Sequence, residues 1–254
     1  MVDTGFVGHA DQTCDWARAQ AGGRIEMVVN THWHADHVGG NAALQATVDQ
    51  ALDDQQRLQL GEAEWQVVAT PGHTPGQLCL WQPDERLLAV GDALSDYDVG
   101  RVATATAVAS LERLDALHPR VLIPAHGPIP ADHVGALAQA RRRAQRLVDD
   151  PDGAVWYGAR RIFAYALMIR GGIPVDAVED YLLDRAWLTD AARLLRRSAP
   201  ELVAELVDTM RRSGAVVEPD RRLHAAAEHA PVEAATLDLP WPRDRPSTEG
   251  NSPR

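Results

Sequence analysis

Four strong metal-ligating side chains fall within six positions, in the run THWHADHVGG between Thr31 and Gly40. They are His32, His34, Asp36 and His37, in a chain with only ten histidines. Neutral imidazole and carboxylate are the donors through which zinc, ferrous iron or manganese is bound. If the run is extended, His32 and His34 point the same way, because side chains repeat every two residues along a strand. Asp36 and His37 are neighbours, so they diverge and could serve a second ion. The alternative reading is a polar loop of solvated histidines.

Three later fragments weigh against that alternative. Thr70-Pro71-Gly72-His73-Thr74-Pro75-Gly76 sets a histidine between two Pro/Gly turns, which favours a fixed loop over a helix. Gly91-Asp92 follows the apolar run Leu87–Val90, which places Asp92 at the carboxyl end of a strand. Pro124-Ala125-His126-Gly127 follows Val121–Ile123 in the same way. A ligand just beyond a buried strand is held by the sheet while its donor atom faces a cleft. Each fragment alone is weak, since a lone His or Asp after a strand is usually a turn residue or a cap. The order of all four is what carries weight.

In that order the chain resembles the metallo-β-lactamase-fold hydrolases, a superfamily that includes glyoxalase II-type thioesterases, lactonases, β-lactamases and nucleases. The pattern His-x-His-x-Asp-His, then a lone His, a lone Asp and a last His, is matched throughout. The resemblance implies that His32, His34 and His73 hold one metal ion, that Asp36, His37 and His126 hold a second, and that Asp92 bridges them. Val2-Asp3-Thr4-Gly5 looks like the strand and turn that precede the metal motif in this family. Residues 1–130 carry the resemblance. It implies an α/β fold, the metallo-β-lactamase-type αββα sandwich, and a binuclear centre with zinc as first choice and iron or manganese open.

The implied activity is that of a metallo-hydrolase cleaving a small ester, thioester or lactone with a metal-activated hydroxide. Two cations about 3.5–4 Å apart lower the pKa of a shared water and polarise the substrate carbonyl. Asp36 and Asp92 are the catalytic candidates; in this family the former can also take a proton from the attacking water. No Gly-x-Ser-x-Gly elbow is present, and Cys14 and Cys79 lie outside the ligand set. Carboxylates that orient the histidines are expected but cannot be named from sequence. The same superfamily offers three other readings: a mononuclear iron persulfide dioxygenase, a nucleic-acid hydrolase, and a catalytically weak metal-binding remnant.

Composition narrows these. All 25 basic residues are arginine, and the net charge is −11. Residues 1–134 hold 7 Arg against 18 Asp and Glu, whereas 135–229 hold 15 against 14. An acidic metal domain repels a phosphate backbone, which disfavours a nucleic-acid substrate and leaves a small molecule. Two distant cysteines argue against a disulfide scaffold. The chain shows neither a signal-peptide-like start nor a run able to span a bilayer, and a cytoplasmic enzyme is expected.

Strands are expected at Ile25–Val29, Gln66–Ala69, Leu78–Trp81, Leu87–Val90 and Val121–Ile123, and helices at Val38–Gln50 and Ala105–Leu117. The family's first strands would precede Val2, where only Met1 stands; the uncovered sheet edge this implies would suit a homodimer. Three regions follow: a metal-binding domain over 1–134, a helical domain over 135–229 and a disordered tail over 230–254. The second region opens with a helix from His133 to Asp149, broken at Asp150-Pro151-Asp152-Gly153. Helices at Trp156–Arg170, Val175–Asp184, Thr189–Arg197 and Pro200–Ser213 follow, then a hairpin of Ala215–Val217 and Arg222–Ala225. Helices ahead of a hairpin resemble the winged-helix module found C-terminal to some lactamase-fold hydrolases. Trp33 and Tyr97 are aromatic candidates for the cleft wall.

Overall fold

The computed structural model describes residues 1–46, 49–94 and 105–229, which form two compact units dividing at Asp150/Pro151. The first is built on a five-stranded sheet, β1 (Arg57–Leu60), β2 (Ala63–Ala69), β3 (Leu78–Gln82), β4 (Leu87–Gly91) and β5 (Val121–Pro124), in that spatial order. The first four strands pair antiparallel, and β5 joins β4 in parallel after a crossover that includes α3 (Ala105–Ala116). Alternation explains the layering. Val68, Cys79, Trp81, Leu88, Val90 and Leu122 share one core with Leu111 and Leu114 of α3 and Leu137, Ala140 and Ala144 of α4 (His133–Asp149). Their neighbours Val67, Leu78 and Leu80 face the other way, onto Val29 and Leu58. All five β3 residues are buried, as a strand covered on both faces must be.

β2 to β5 lie where the apolar runs place them, and α3 and α4 fit their expected spans. The division into units comes later than residue 134, because α4 packs in the first unit beside α3.

Two expectations fail in instructive ways. Ile25–Val29 is not a continuous strand: it makes one parallel bridge, Val2 with Val29, fixed by Val29 N–H to the Met1 carbonyl (2.9 Å) and Asp3 N–H to the Val29 carbonyl (2.8 Å). The Met1 amino group extends that pairing by donating to the Met27 carbonyl (2.8 Å), and this short parallel contact stands where the strand was expected. Among the described residues of Val38–Gln50 no helix continues past Val38. The helical turn is α2, Ala35–Val38, and turns occupy residues 39–45. Gly39 and Gly40 force this outcome by lying against the Thr4–Val7 backbone. A Cβ on Gly39 would overlap the Val7 nitrogen, and one on Gly40 would lie 2.5 Å from the Thr4 carbonyl oxygen. Helix α1 (Ala10–Gln20) and strand β1 have no counterpart in the expectations.

The second unit contains α5 (Pro151–Ile169), α6 (Val178–Leu183), α7 (Ala186–Leu194) and α8 (Ala199–Arg212). A three-stranded sheet of β6 (Ile173–Pro174), β8 (Arg222–Ala225) and β7 (Val216–Val217) completes it. Its core gathers Phe163, Leu167, Leu182, Leu188, Leu202, Leu206, Met210 and Leu223. The expected four-residue break is narrower: only Asp150 leaves the helical region (φ −126, ψ 78), and Pro151 opens the next helix, where a missing N–H costs nothing. Ser198 caps α8 in a reciprocal box with Glu201, whose carboxylate is held below its ordinary range by the Ser198 hydroxyl and backbone N–H. No helix among the described residues is long and apolar enough to cross a membrane.

Candidate metal centre

The first unit brings all seven expected ligands to one rim of the sheet. His32 and His34 lie on the loop beyond Val29, which is tied to β3 by Leu78 N–H donating to the Thr31 carbonyl (2.9 Å). Asp36 and His37 come from α2, His73 from the turn between β2 and β3, Asp92 from the end of β4 and His126 from the end of β5. Ser110 of α3 steadies the His73 turn by donating to the Pro71 carbonyl (2.8 Å).

The ligands separate into two groups that share Asp92. In one, His34 Nδ1 lies 3.1 Å from His32 Nε2 and 2.8 Å from His73 Nε2. Asp92 Oδ2 faces this group, 3.4 Å from His73 Nε2 and 3.9 Å from His32 Nε2. In the other, His126 Nε2 lies 3.1 Å from Asp36 Oδ2 and 3.3 Å from His37 Nε2. Asp92 Oδ1 faces that group, 3.3 Å from His37 Nε2 and 3.5 Å from His126 Nε2. Potential donor atoms of His32, His34 and His73 lie within 4.8 Å of one another, as do those of Asp36, His37 and His126.

This donor set fits a pair of divalent cations. Five imidazoles converge nitrogen to nitrogen, in pairs that one N–H can bridge and whose lone pairs could equally be turned to cations between them. Asp92 is 2 % exposed, and its Oδ1 has no hydrogen bond of good geometry among the described residues. Histidine nitrogens of His37 and His126 stand 3.3 and 3.5 Å from that oxygen, so its burial is only weakly compensated, and a cation is the partner that would offset it.

An outer layer orients the rings. The Asp3 carboxylate accepts from Thr31 N–H, from the Thr31 hydroxyl and from His37 Nδ1, each at 2.8 Å. The Thr31 hydroxyl also lies 3.0 Å from His32 Nδ1. One carboxylate therefore fixes a histidine of each group, leaving their Nε2 atoms for the centre. Thr4 and Asn30 hold the His37 carbonyl (Thr4 N–H at 2.7 Å, Asn30 Nδ2 at 3.2 Å), and Asn41 links those two side chains. Asp3 has no role readable from sequence; its place one residue after Val2, in the strand-and-turn ahead of the histidine run, is the only signal. Trp33 is 57 % exposed, so its ring is not part of the core. Tyr97 and the expected tail over 230–254 lie outside the described residues.

Burial and partners pull the ionisable groups apart. Burial, reinforced by the charge of His37, lowers His32 to about 3, and burial lowers His34 too. For His37 burial is outweighed by hydrogen bonds to Asp3 and Asp92, which raise it to about 10. His126 is raised by its bond to Asp36. Burial acts to raise Asp36 and Asp92, but histidine hydrogen bonds and charges prevail and hold both below the usual carboxylate range.

A pH dependence follows for protein stripped of metal by a chelator. His32 is less basic folded than unfolded, so it contributes stability above about 6.5 that is lost as pH falls toward 3. His37 is more basic folded, so its contribution is complete below about 6.5 and is lost as pH rises through about 10. Urea midpoints of the stripped protein should peak near neutral pH and fall on both sides. A midpoint unchanged between about pH 5 and pH 9 would contradict these placements.

Residues 1–52 and 48–126 match the family model described as the metallo-beta-lactamase superfamily, and the chain belongs to that superfamily through its first unit. The relatives are more specific in name. Over 116 residues the chain is 37% identical to a hydroxyacylglutathione hydrolase of Methylococcus capsulatus, covering 38% of this chain and 45% of that protein. Over 155 residues it is 32% identical to a hydroxyacylglutathione hydrolase of Cereibacter sphaeroides, covering 53% and 58%. The chain thus spans about half the length of the curated relatives it matches. A metallo-beta-lactamase from Pontibacter korlensis aligns with a TM-score of 0.50 and 20% identity, over 57% of this chain and 81% of that one, which is a likeness of fold.

Proposed function

We propose that the first unit is a binuclear metal-dependent hydrolase of a small thioester, with simple esters and lactones as neighbouring substrates and zinc as the metal. The observation that carries the reading is Asp92, one oxygen turned to His73 and His32 and the other to His37 and His126. His32, His34 and His73 would hold one ion, and Asp36, His37 and His126 the other, with Asp92 bridging. Two bound divalent cations supply the acidity that makes water nucleophilic near neutral pH and the charge that polarises a carbonyl. Asp92, buried and ionised, keeps the two ligand groups in register. Asp36 is the more open carboxylate, with a side chain 35% exposed, and serves as acceptor for the proton that leaves the attacking water. Neither cysteine supplies a competing nucleophile: both are buried, and burial pushes the Cys79 thiol up to about 12, far from the thiolate. The names of the relatives favour a thioester within the wider class. The helices and three-stranded sheet of the second unit belong to the same reading as a winged-helix-like module.

Elemental analysis of protein purified without added metal, paired with a panel of one hydroxyacylglutathione thioester, one aryl ester and one lactone, tests this. About two zinc ions per chain with thioester turnover is the expected result. One iron per chain with oxygen consumption would replace the hydrolase with a dioxygenase. Full metal loading without turnover on any of the three would leave a site that serves folding alone.

A further inference from the structure

The Val90 carbonyl stands where β4 gives way to the segment carrying Asp92, and it accepts from three donors. The Ala93 N–H lies at 2.9 Å, the Gln77 Nε2 at 3.4 Å and the Cys79 thiol at 3.4 Å. Gln77 is 1 % exposed and Cys79 fully buried, with the Thr70 hydroxyl 3.2 Å from the sulfur. Strand β3 pairs with β4 as Trp81 with Leu88 and Leu80 with Ala89, and Gln77 lies just before β3, beyond the last of these pairs. The backbone between Val90 and Asp92 has little other freedom. Gly91 takes φ +50, lies against the Thr31 side chain and accepts at its carbonyl from Ala125 N–H (3.1 Å).

Gln77 meets only half of its own requirements. Its amide nitrogen reaches Val90, while its buried Oε1 has no donor among the described residues. A buried acceptor left unmet is a standing cost, and leucine or methionine would fill the same space without it. The amide is therefore accounted for by what its nitrogen does.

We infer that Gln77 is a positioning residue: by holding the Val90 carbonyl it sets the direction in which Asp92 offers its two oxygens to the two ligand groups. This rests on the reading of Asp92 as a bridge. Gln77 is not one of the seven ligands; it acts through the turn that Ala93 N–H closes onto Val90.

Gln77→Met and Gln77→Leu both remove the donor while keeping volume, so one folded variant suffices. Three readouts separate positioning from general packing: the visible spectrum of the metal-stripped protein titrated with cobalt(II), kcat and KM on the thioester, and exchange of the Ala93 amide proton by NMR. The expected result is two cobalt ions bound with about 10-fold weaker affinity and a changed visible band, the order of loss seen for outer partners of metal ligands. With it, kcat falls about 10-fold at unchanged KM, and the Ala93 amide exchanges faster while amides shared by β2 and β3 do not. Wild-type cobalt spectra and wild-type Ala93 exchange in both variants would overturn the assignment. Uniformly faster exchange across the sheet would overturn it too, as a plain packing effect. If the unaltered chain binds cobalt but hydrolyses nothing, the hydrolase reading fails, and the cobalt and exchange comparison still decides the role of Gln77.

Discussion

Asp92→Ala should lower turnover by at least two to three orders of magnitude, about the cost of deleting one preorganised electrostatic partner from a reacting centre. The loss should reach metal as well as rate. Each Asp92 oxygen faces a different histidine group, so removing the carboxylate deprives both of their shared anion. It also removes one source of the raised basicity of His37 and His126, which makes their protons easier to displace, so the expected loss of metal comes from the missing anion itself. Zinc per chain should fall at both sites together, with circular dichroism unchanged. Loss of one ion alone, or turnover near wild type, would mean that Asp92 belongs to a single group and does not bridge.

The second large effect concerns a residue that touches no ligand-facing atom. Asp3→Asn keeps the shape but removes the charge that accepts from Thr31 and from His37 Nδ1. Metal affinity is expected to drop about 10- to 100-fold. Because Thr31 leads on to His32, both groups should weaken, unlike the effect of changing any single histidine. Competition against a chromophoric zinc chelator measures the drop, and excess zinc should restore most of the turnover. The alkaline limb of the stability profile should shrink in the same variant, since Asp3 is the first of the partners that raise His37. Unaltered affinity with a shrunken limb would make Asp3 a folding residue without influence on the centre.

The centre was far more legible in the sequence than the scaffold around it. His73, Asp92 and His126 each follow a short apolar run and a turn residue, signals weak one by one that gained weight from their order and from the family resemblance. The α4 boundaries are equally local, and they are found where the spacing puts them. What failed was whatever depends on residues distant in the chain. Val38–Gln50 has helical composition, yet Gly39 and Gly40 answer to the backbone of Thr4–Val7, a contact invisible in any window. Strand β1 reads Arg-Leu-Gln-Leu, without a β-branched residue, and owes its state to its pairing with β2. Helix α1 buries only Ala10, Cys14 and Ala17, small side chains that leave a weak apolar stripe. Asp3 escaped because its partners lie 28 and 34 positions away.

The single parallel pair in an otherwise antiparallel sheet has a geometric consequence. Had β5 run against β4, His126 would emerge at the far end of the sheet from Asp92, separated by about 17 Å, the length of a five-residue strand. Running alongside, the two strands end together, and their last residues can face one another across 3.5 Å. The return trip must then be made by something that spans the same length without needing strand partners. The twelve residues of α3, at about 1.5 Å each, cover about 18 Å. Strand and helix are thus matched rulers. What holds His126 beside Asp92 is the pairing of β5 with β4, so an insertion in a loop joining strand and helix would leave the pair where it is.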